Sequence, residues 1–96
     1  PLYRAELSDP EKVLDAILGT MRIAYVYCKG LTHGDLSQFN VLVSKDEDVR
    51  VIDWPQATRD EDVLIGDVTR ILSFFEKEYS LERDLEEVLD YVKGYS

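Results

Sequence analysis

The sequence predicts an α+β fold, mainly helical, with one small β-hairpin. In three segments apolar residues recur at three- and four-residue steps, the period of an amphipathic helix. Between the first and second segments, two short apolar runs over 41–44 and 49–52 flank a charged turn, which is typical of a hairpin. With 96 residues, 45% of them hydrophobic and 32% charged, the chain is expected to form one small globular domain over 1–96.

The first helix is expected to begin near Ser8 and to run to about Cys28. Ser8 and Glu11 have the spacing of a capping box, and Pro10 suits a first helical turn. Its apolar face is predicted to contain Val13, Leu14, Ile17, Leu18, Met21, Ala24, Tyr25 and Cys28. Cys28 is therefore predicted to be buried, and Gly30 to close the helix.

The hairpin is predicted from the two apolar runs, which are expected to form its two strands. Its turn, Lys45-Asp46-Glu47-Asp48, is expected to be a solvated tip and not a metal site. A hairpin brings the residue before its first strand beside the residue after its second strand. Asn40 and Asp53 are therefore expected to lie on the same side, although they are distant in sequence.

Two further helices are predicted after the hairpin. The first is expected to start at about Val63 or Asp67, after an acidic loop from Ala57 to about Asp62. The last is expected to be capped by Ser80 and closed by Gly94. Their apolar faces are predicted to consist of Val68, Ile71, Leu72, Phe74 and Phe75, and of Leu81, Leu85, Val88, Leu89 and Val92.

Composition argues against some functions. The formal net charge of -9 is unfavourable for direct nucleic-acid binding, which needs clustered Lys and Arg. The single cysteine excludes an internal disulfide and fits a reducing cytoplasm. No signal peptide and no apolar run near the ~20 residues of a membrane span is present, so no membrane association is expected.

The residues that carry chemistry form two linked motifs. One is His33-x-Asp35-x4-Asn40, and the other is an apolar run that ends at Asp53. Asp35 can accept or orient the proton of an attacking hydroxyl. Asn40 and Asp53 offer one amide oxygen and one carboxylate to a magnesium ion, which keeps its remaining positions for water and phosphate. The pattern therefore predicts magnesium-assisted phosphoryl transfer from ATP.

Two residues are expected to support this site. His33 is predicted to hold the loop, its ring hydrogen-bonded to backbone near Asp53. Asp67 is expected either to cap the helix that it opens or to reach back to the loop that contains Asp35. The alternative to the whole site is that Asp35, Asn40 and Asp53 are three unrelated turn residues.

At these residues the chain resembles the C-terminal catalytic lobe of the protein-kinase-like superfamily. Within it, 33–43 and Ile52-Asp53-Trp54-Pro55-Gln56 most resemble the RIO family of atypical serine/threonine kinases, in the branch that carries an N-terminal winged helix. The resemblance implies that Asp35 is catalytic, that Asn40 and Asp53 bind magnesium and nucleotide, and that Asp67 braces the loop. It also implies that Asp53 can accept a phosphoryl group, and that the family acts in maturation of the small ribosomal subunit.

Parts of such a kinase have no candidate here. No lysine lies on a strand that precedes a helix with a glutamate partner, and the chain begins at Pro1 without methionine. We therefore expect a truncated or excised piece that lacks the nucleotide-binding lobe and is inactive alone. Two alternatives stay open: a small-molecule phosphotransferase of the aminoglycoside or choline kinase type, which Trp54 favours, and a non-catalytic binding fragment.

Overall fold

The computed structural model, which describes residues 1–95, contains three α-helices and a two-stranded antiparallel hairpin. A short 3₁₀ turn at Leu2–Arg4 precedes α1, which spans Pro10–Tyr27. Strands β1 and β2 span Val41–Val43 and Val49–Val51, α2 spans Glu61–Tyr79, and α3 spans Leu85–Val92. The predicted α+β class and order of elements are confirmed.

Helix α1 begins one residue later than its capping-box pattern predicts. Asp9 is the N-cap, and its side chain accepts a hydrogen bond from the Lys12 N–H. Ser8 is not the cap, because its N–H and hydroxyl both donate to the Glu47 carboxylate of the hairpin turn, at 2.7 and 3.0 Å. The predicted burial of Cys28 is also wrong, since the helix ends beyond the core and leaves this thiol exposed.

The hairpin lies where the sequence predicts it, with strands one residue shorter than expected, and it pairs Val41 with Val51 and Val43 with Val49. Its turn is not merely a solvated tip. Glu47 also accepts the Asp9 N–H at 3.0 Å, so the turn is fastened to the first turn of α1. The turn end of the hairpin is thereby fixed to the start of α1, and the predicted site lies at the other, open end of the hairpin.

Helices α2 and α3 are capped by residues other than those predicted. Helix α2 starts at Glu61, before the predicted Val63 or Asp67, because the Asp60 side chain caps the Asp62 N–H. Ser80 ends α2 in a left-handed conformation, with φ 53°, and does not cap α3. Asp84 caps α3 instead.

The core lies between the three helices and extends to the hairpin. Helix α1 packs against α3, α2 and β2, and α2 packs against α3. Leu36 and Val41, which flank Asn40 in the predicted catalytic loop, are fully buried in this core. The other buried apolar residues are Leu2, Val13, Leu14, Ile17, Leu18, Met21, Leu64, Val68, Ile71, Phe75, Val88 and Val92. The described helices include none that is long and apolar enough to cross a bilayer.

Candidate active site

The open end of the hairpin brings the two sequence motifs together. The Ile52 N–H donates to the Asn40 backbone oxygen at 2.9 Å, one step beyond the last strand pair. Asp53 therefore follows directly after a residue that is paired with Asn40. Asp53 has φ 63°, a left-handed conformation that Asp tolerates better than most residues, and the chain turns sharply there.

His33 joins the loop to the same point. Its Nε2 lies 2.7 Å from the Ile52 backbone oxygen, and its Nδ1 accepts the Asp35 N–H at 3.1 Å. These partners indicate the neutral tautomer with the proton on Nε2. The ring is buried and lies 4.9 Å from the ring of Trp54, which itself donates to the Val51 oxygen. The hydrogen bond expected between His33 and backbone beside Asp53 is thus present.

Asp67 holds the loop from α2. This fully buried carboxylate accepts hydrogen bonds from the Thr32 hydroxyl at 2.7 Å and from the Gly34 N–H at 2.8 Å. Its other oxygen accepts from the Leu36 N–H at 3.1 Å and from Arg70 Nη2 at 2.6 Å. Four donors saturate a carboxylate. Of the two roles that the sequence left open, Asp67 therefore reaches back to the loop and does not cap α2.

Backbone contacts complete the loop. Thr32 and Thr58 exchange both backbone hydrogen bonds, at 2.8 and 3.0 Å, so the loop is paired with the segment that follows Asp53. Gly34 has φ 95°, and a Cβ built on it would lie 2.0 Å from the Gln56 oxygen. Only glycine permits this approach of two backbones.

The two candidate catalytic carboxylates differ from Asp67. Asp35 and Asp53 are exposed, and within residues 1–95 neither carboxylate makes a hydrogen bond or an ion pair. An exposed carboxylate on a braced backbone is available to a substrate without breaking an internal contact. The structure thus separates the buried aspartate that fixes the loop from two that stay free for ligands.

Asn40 is turned inward. It is 8% exposed, and its Oδ1 accepts the Ser37 N–H at 2.8 Å and the Ser37 hydroxyl at 3.2 Å. These two bonds occupy both lone pairs of the amide oxygen. Asn40 therefore supports the bend of the loop in this arrangement, and a metal ion would compete with the Ser37 hydroxyl for this oxygen.

The donor set fits a magnesium ion with few protein ligands. Asp53 supplies a free carboxylate, and Asn40 can supply its amide oxygen once the Ser37 hydroxyl is released. Among the described residues, no group of three or more His, Cys, Asp or Glu converges as a metal cluster. This is compatible with magnesium, which keeps water and phosphate oxygens in its shell.

Sequence patterns missed several supports of this loop. Thr32, Ser37, Arg70 and the Gln56 backbone all fix it, and none belongs to the two motifs. Arg70 had a weak signal, because it lies three residues after Asp67, on the same helix face. Thr32 and the Gln56 backbone depend on long-range contacts that local spacing does not encode, whereas Ser37 bonds to Asn40, only three residues away.

Comparison with known proteins identifies the family of this chain. The model of the RIO domain matches residues 2–92. The chain belongs to the RIO domain family. The match covers both motifs, the hairpin and all three helices, and it favours the RIO interpretation over the aminoglycoside or choline kinase type.

The curated relatives of this RIO domain are serine/threonine kinases by name. The RIO-type serine/threonine-protein kinase Rio2 of Methanocaldococcus jannaschii is 29% identical over 91 residues, covering 84% of this chain and 31% of that protein. The serine/threonine-protein kinase rio2 of Dictyostelium discoideum is 34% identical over 80 residues, covering 78% of this chain and 15% of that protein. The serine/threonine-protein kinase rio2 of Schizosaccharomyces pombe is 38% identical over 69 residues, covering 67% of this chain and 20% of that protein. The chain thus spans less than a third of the length of these relatives.

Proposed function

We propose that this RIO domain is the catalytic lobe of an ATP-dependent serine/threonine kinase. The observation that carries the proposal is the closure of the hairpin on the loop, in which Ile52 pairs with Asn40 and accepts from His33. This network joins the segment of Asp35 to that of Asp53 while both carboxylates stay free. Membership of a family whose named relatives are kinases supports it.

The roles follow from exposure and bonding. Asp35 takes or orients the proton of the acceptor hydroxyl, which general-base positioning can accelerate by about 10²–10⁴-fold. Asp53 and Asn40 would hold magnesium, which neutralises phosphate charge when bound. Asp67 and His33 keep the backbone of the loop fixed, so that Asp35 needs little reorganisation when a substrate arrives.

We further propose that residues 1–96 are one lobe of a longer two-lobed enzyme. The matches cover 31%, 15% and 20% of the three kinases named above, so most of each kinase lies outside the matched segment. The family resemblance supports a place in the cytoplasm, in maturation of the small ribosomal subunit. Co-sedimentation of the intact protein with small-subunit precursors would test that role, and its absence from those particles would contradict it.

Single substitutions test the kinase assignment in the intact protein. Asp35→Asn and Asp53→Asn should each lower magnesium-dependent turnover of ATP by about 100-fold or more. Asp53→Asn should also weaken binding of the nucleotide in magnesium but not in EDTA. Asp46→Asn, at the exposed hairpin turn, is the matched control and should change neither quantity. Wild-type turnover in Asp35→Asn would show that the assignment is wrong.

A further inference from the structure

A groove of about 660 Å³ lies between the predicted catalytic loop and the outer face of α2. Its walls include two exposed aromatic side chains, Phe39 at 61% and Tyr3 at 42%, whose rings pack 4.9 Å apart. Phe74 of α2 adds a third aromatic ring to the lining. Exposed aromatic rings in a concave surface are typical of a site that binds a partner.

The charge of the groove differs from that of the chain. Lys77 and Arg70 line it with a single acidic residue, Glu78, although the chain carries a net charge of -9. Arg70 is itself paired with the buried Asp67 carboxylate at 2.6 Å, and Arg4 adds a cation 5.2 Å from the centre of the Tyr3 ring. Lys77 and Arg4 are therefore the cations that face a partner. The groove is therefore the complement of an acidic partner that also presents an apolar side chain.

The groove between α1 and α3 provides a contrast. Three carboxylates line it, those of Asp15, Asp84 and Glu87, and Arg83 is bonded to Asp15 at 2.9 Å. An acidic segment would be repelled there. The groove beside the loop thus differs from the groove between α1 and α3 in the sign of the charges that line it.

The groove is fixed relative to Asp35. Arg70 Nε donates to the Leu36 backbone oxygen at 2.8 Å, while Asp67 accepts the Leu36 N–H. The loop therefore rests on the helix that forms the far wall of the groove. Ser37 and Phe39, which line the groove, follow Asp35 by two and four residues. A chain lying in the groove therefore runs beside the loop that contains Asp35.

We propose that this groove binds an extended polypeptide segment in which an aromatic or aliphatic side chain is flanked by acidic residues, and that it presents a hydroxyl of that segment to Asp35. The apolar side chain packs on Phe39 and Tyr3, and the acidic residues lie near Lys77 and Arg4. The inference rests on the proposed kinase function and gives its acceptor class.

Peptide binding without nucleotide tests the inference. The probe is a short fluorescein-labelled peptide with Phe next to Ser and flanked by Asp and Glu. In fluorescence anisotropy it should bind the 96-residue chain at least about threefold more tightly than the same peptide with Lys in place of Asp and Glu, or with Ala in place of Phe. Phe39→Ala should abolish the difference in affinity between the Phe-containing and Ala-containing peptides. Lys77→Glu should make the basic peptide bind more tightly than the acidic one. Lys45→Glu has the same charge change at the hairpin turn and should preserve that preference.

Three results would overturn the inference: equal binding of the acidic and basic peptides, a preference that survives both Phe39→Ala and Lys77→Glu, or a dimer that Phe39→Ala dissociates in sedimentation. Circular dichroism of each variant checks that the fold is retained. The assay needs no turnover, so it separates the two proposals. Loss of the peptide preference in a protein that still transfers phosphate contradicts the acceptor class alone, whereas an inactive intact protein contradicts the kinase function.

Discussion

Asp67 holds Asp35 in position without touching it. One Asp67 oxygen accepts the N–H of Gly34, the residue before Asp35, and the other accepts the N–H of Leu36, the residue after it. A buried side chain thus fixes the backbone on both sides of an exposed one. The division lets the Asp35 carboxylate, the proposed catalytic group, stay solvated while its main chain is held.

We expect Asp67→Asn to lower the free energy of unfolding by about 3 kcal/mol, because it breaks the ion pair between a buried carboxylate and the half-exposed Arg70 and sets an amide donor against backbone donors. Urea unfolding followed by circular dichroism measures this change. Asp62→Asn, an exposed substitution on the same helix, should cost less than about 1 kcal/mol. Equal costs for the two variants would contradict the role of Asp67 as the brace of the loop.

Two glycines should respond to alanine in opposite directions. Gly34→Ala places a methyl group on the Gln56 oxygen and forces a positive φ, so we expect a loss of about 2–4 kcal/mol of stability. Gly66 lies inside α2, where the nearest atom to a built Cβ is Arg70 Nη1 at 3.5 Å. Gly66→Ala should therefore raise stability by about 0.5–1 kcal/mol. Thermal unfolding of both variants tests the pair, and a stable Gly34→Ala variant would contradict the close backbone approach.

Ser37 should compete with a metal ion for Asn40. Ser37→Ala removes one of the two donors to Asn40 Oδ1, so Mn²⁺, used as a paramagnetic probe, should bind about 2- to 10-fold more tightly. Free Mn²⁺ is counted by electron paramagnetic resonance. Ser44→Ala is the control, since Ser44 bonds only within the hairpin turn. Unchanged or weaker Mn²⁺ binding in Ser37→Ala would show that the Asn40 amide oxygen is not a ligand.

Acid should release the hairpin turn from α1. The Ser8 N–H, with smaller contributions from the Ser8 hydroxyl, the Asp9 N–H and Lys12, holds the pKa of Glu47 below its usual value of 4.5. Because the folded pKa is lowered, this contact stabilises the fold above about pH 4.5 and is lost as the pH falls through the folded pKa. The difference in melting temperature between wild type and Glu47→Gln should therefore be largest at pH 7, where Glu47 is ionised, and should shrink below pH 4.5. Glu82→Gln, an exposed control, should show no such pH-dependent difference, and a constant difference for Glu47→Gln would contradict the contact.

The sequence predicted the elements better than their ends. The 3.6-residue period located the helices, because burial of one face imposes it, and two apolar runs around a charged turn located the hairpin. The convergence of Asn40 and Asp53 also followed from the hairpin alone. The caps did not, since Ser8 and Ser80 have the right chemistry but Asp9 and Asp84 have the right geometry. A cap depends on a local dihedral angle that composition does not specify.

The supports of the site were the least predictable part. The motif residues His33, Asp35, Asn40 and Asp53 were chosen from spacing, and the hydrogen bonds that surround them come from Thr32, Ser37 and Arg70. Each of these bonds joins residue types that are common at the surface. The bonds of Thr32 to Asp67 and of Arg70 to Leu36 become visible only when α2 is docked, because they join residues that are 35 and 34 positions apart in the chain, whereas Ser37 bonds to Asn40 three positions away.

That separation has a consequence for folding. The bonds from Asp67 to the loop span 31 to 35 residues, so the loop cannot reach its native shape before α2 has formed and packed. During synthesis the hairpin can close while the loop beside it is still fluctuating. In the folded protein, amide protons of Gly34 and Leu36 should exchange with solvent at the rate at which α2 opens, and the active site should be the first region to lose order when that helix detaches.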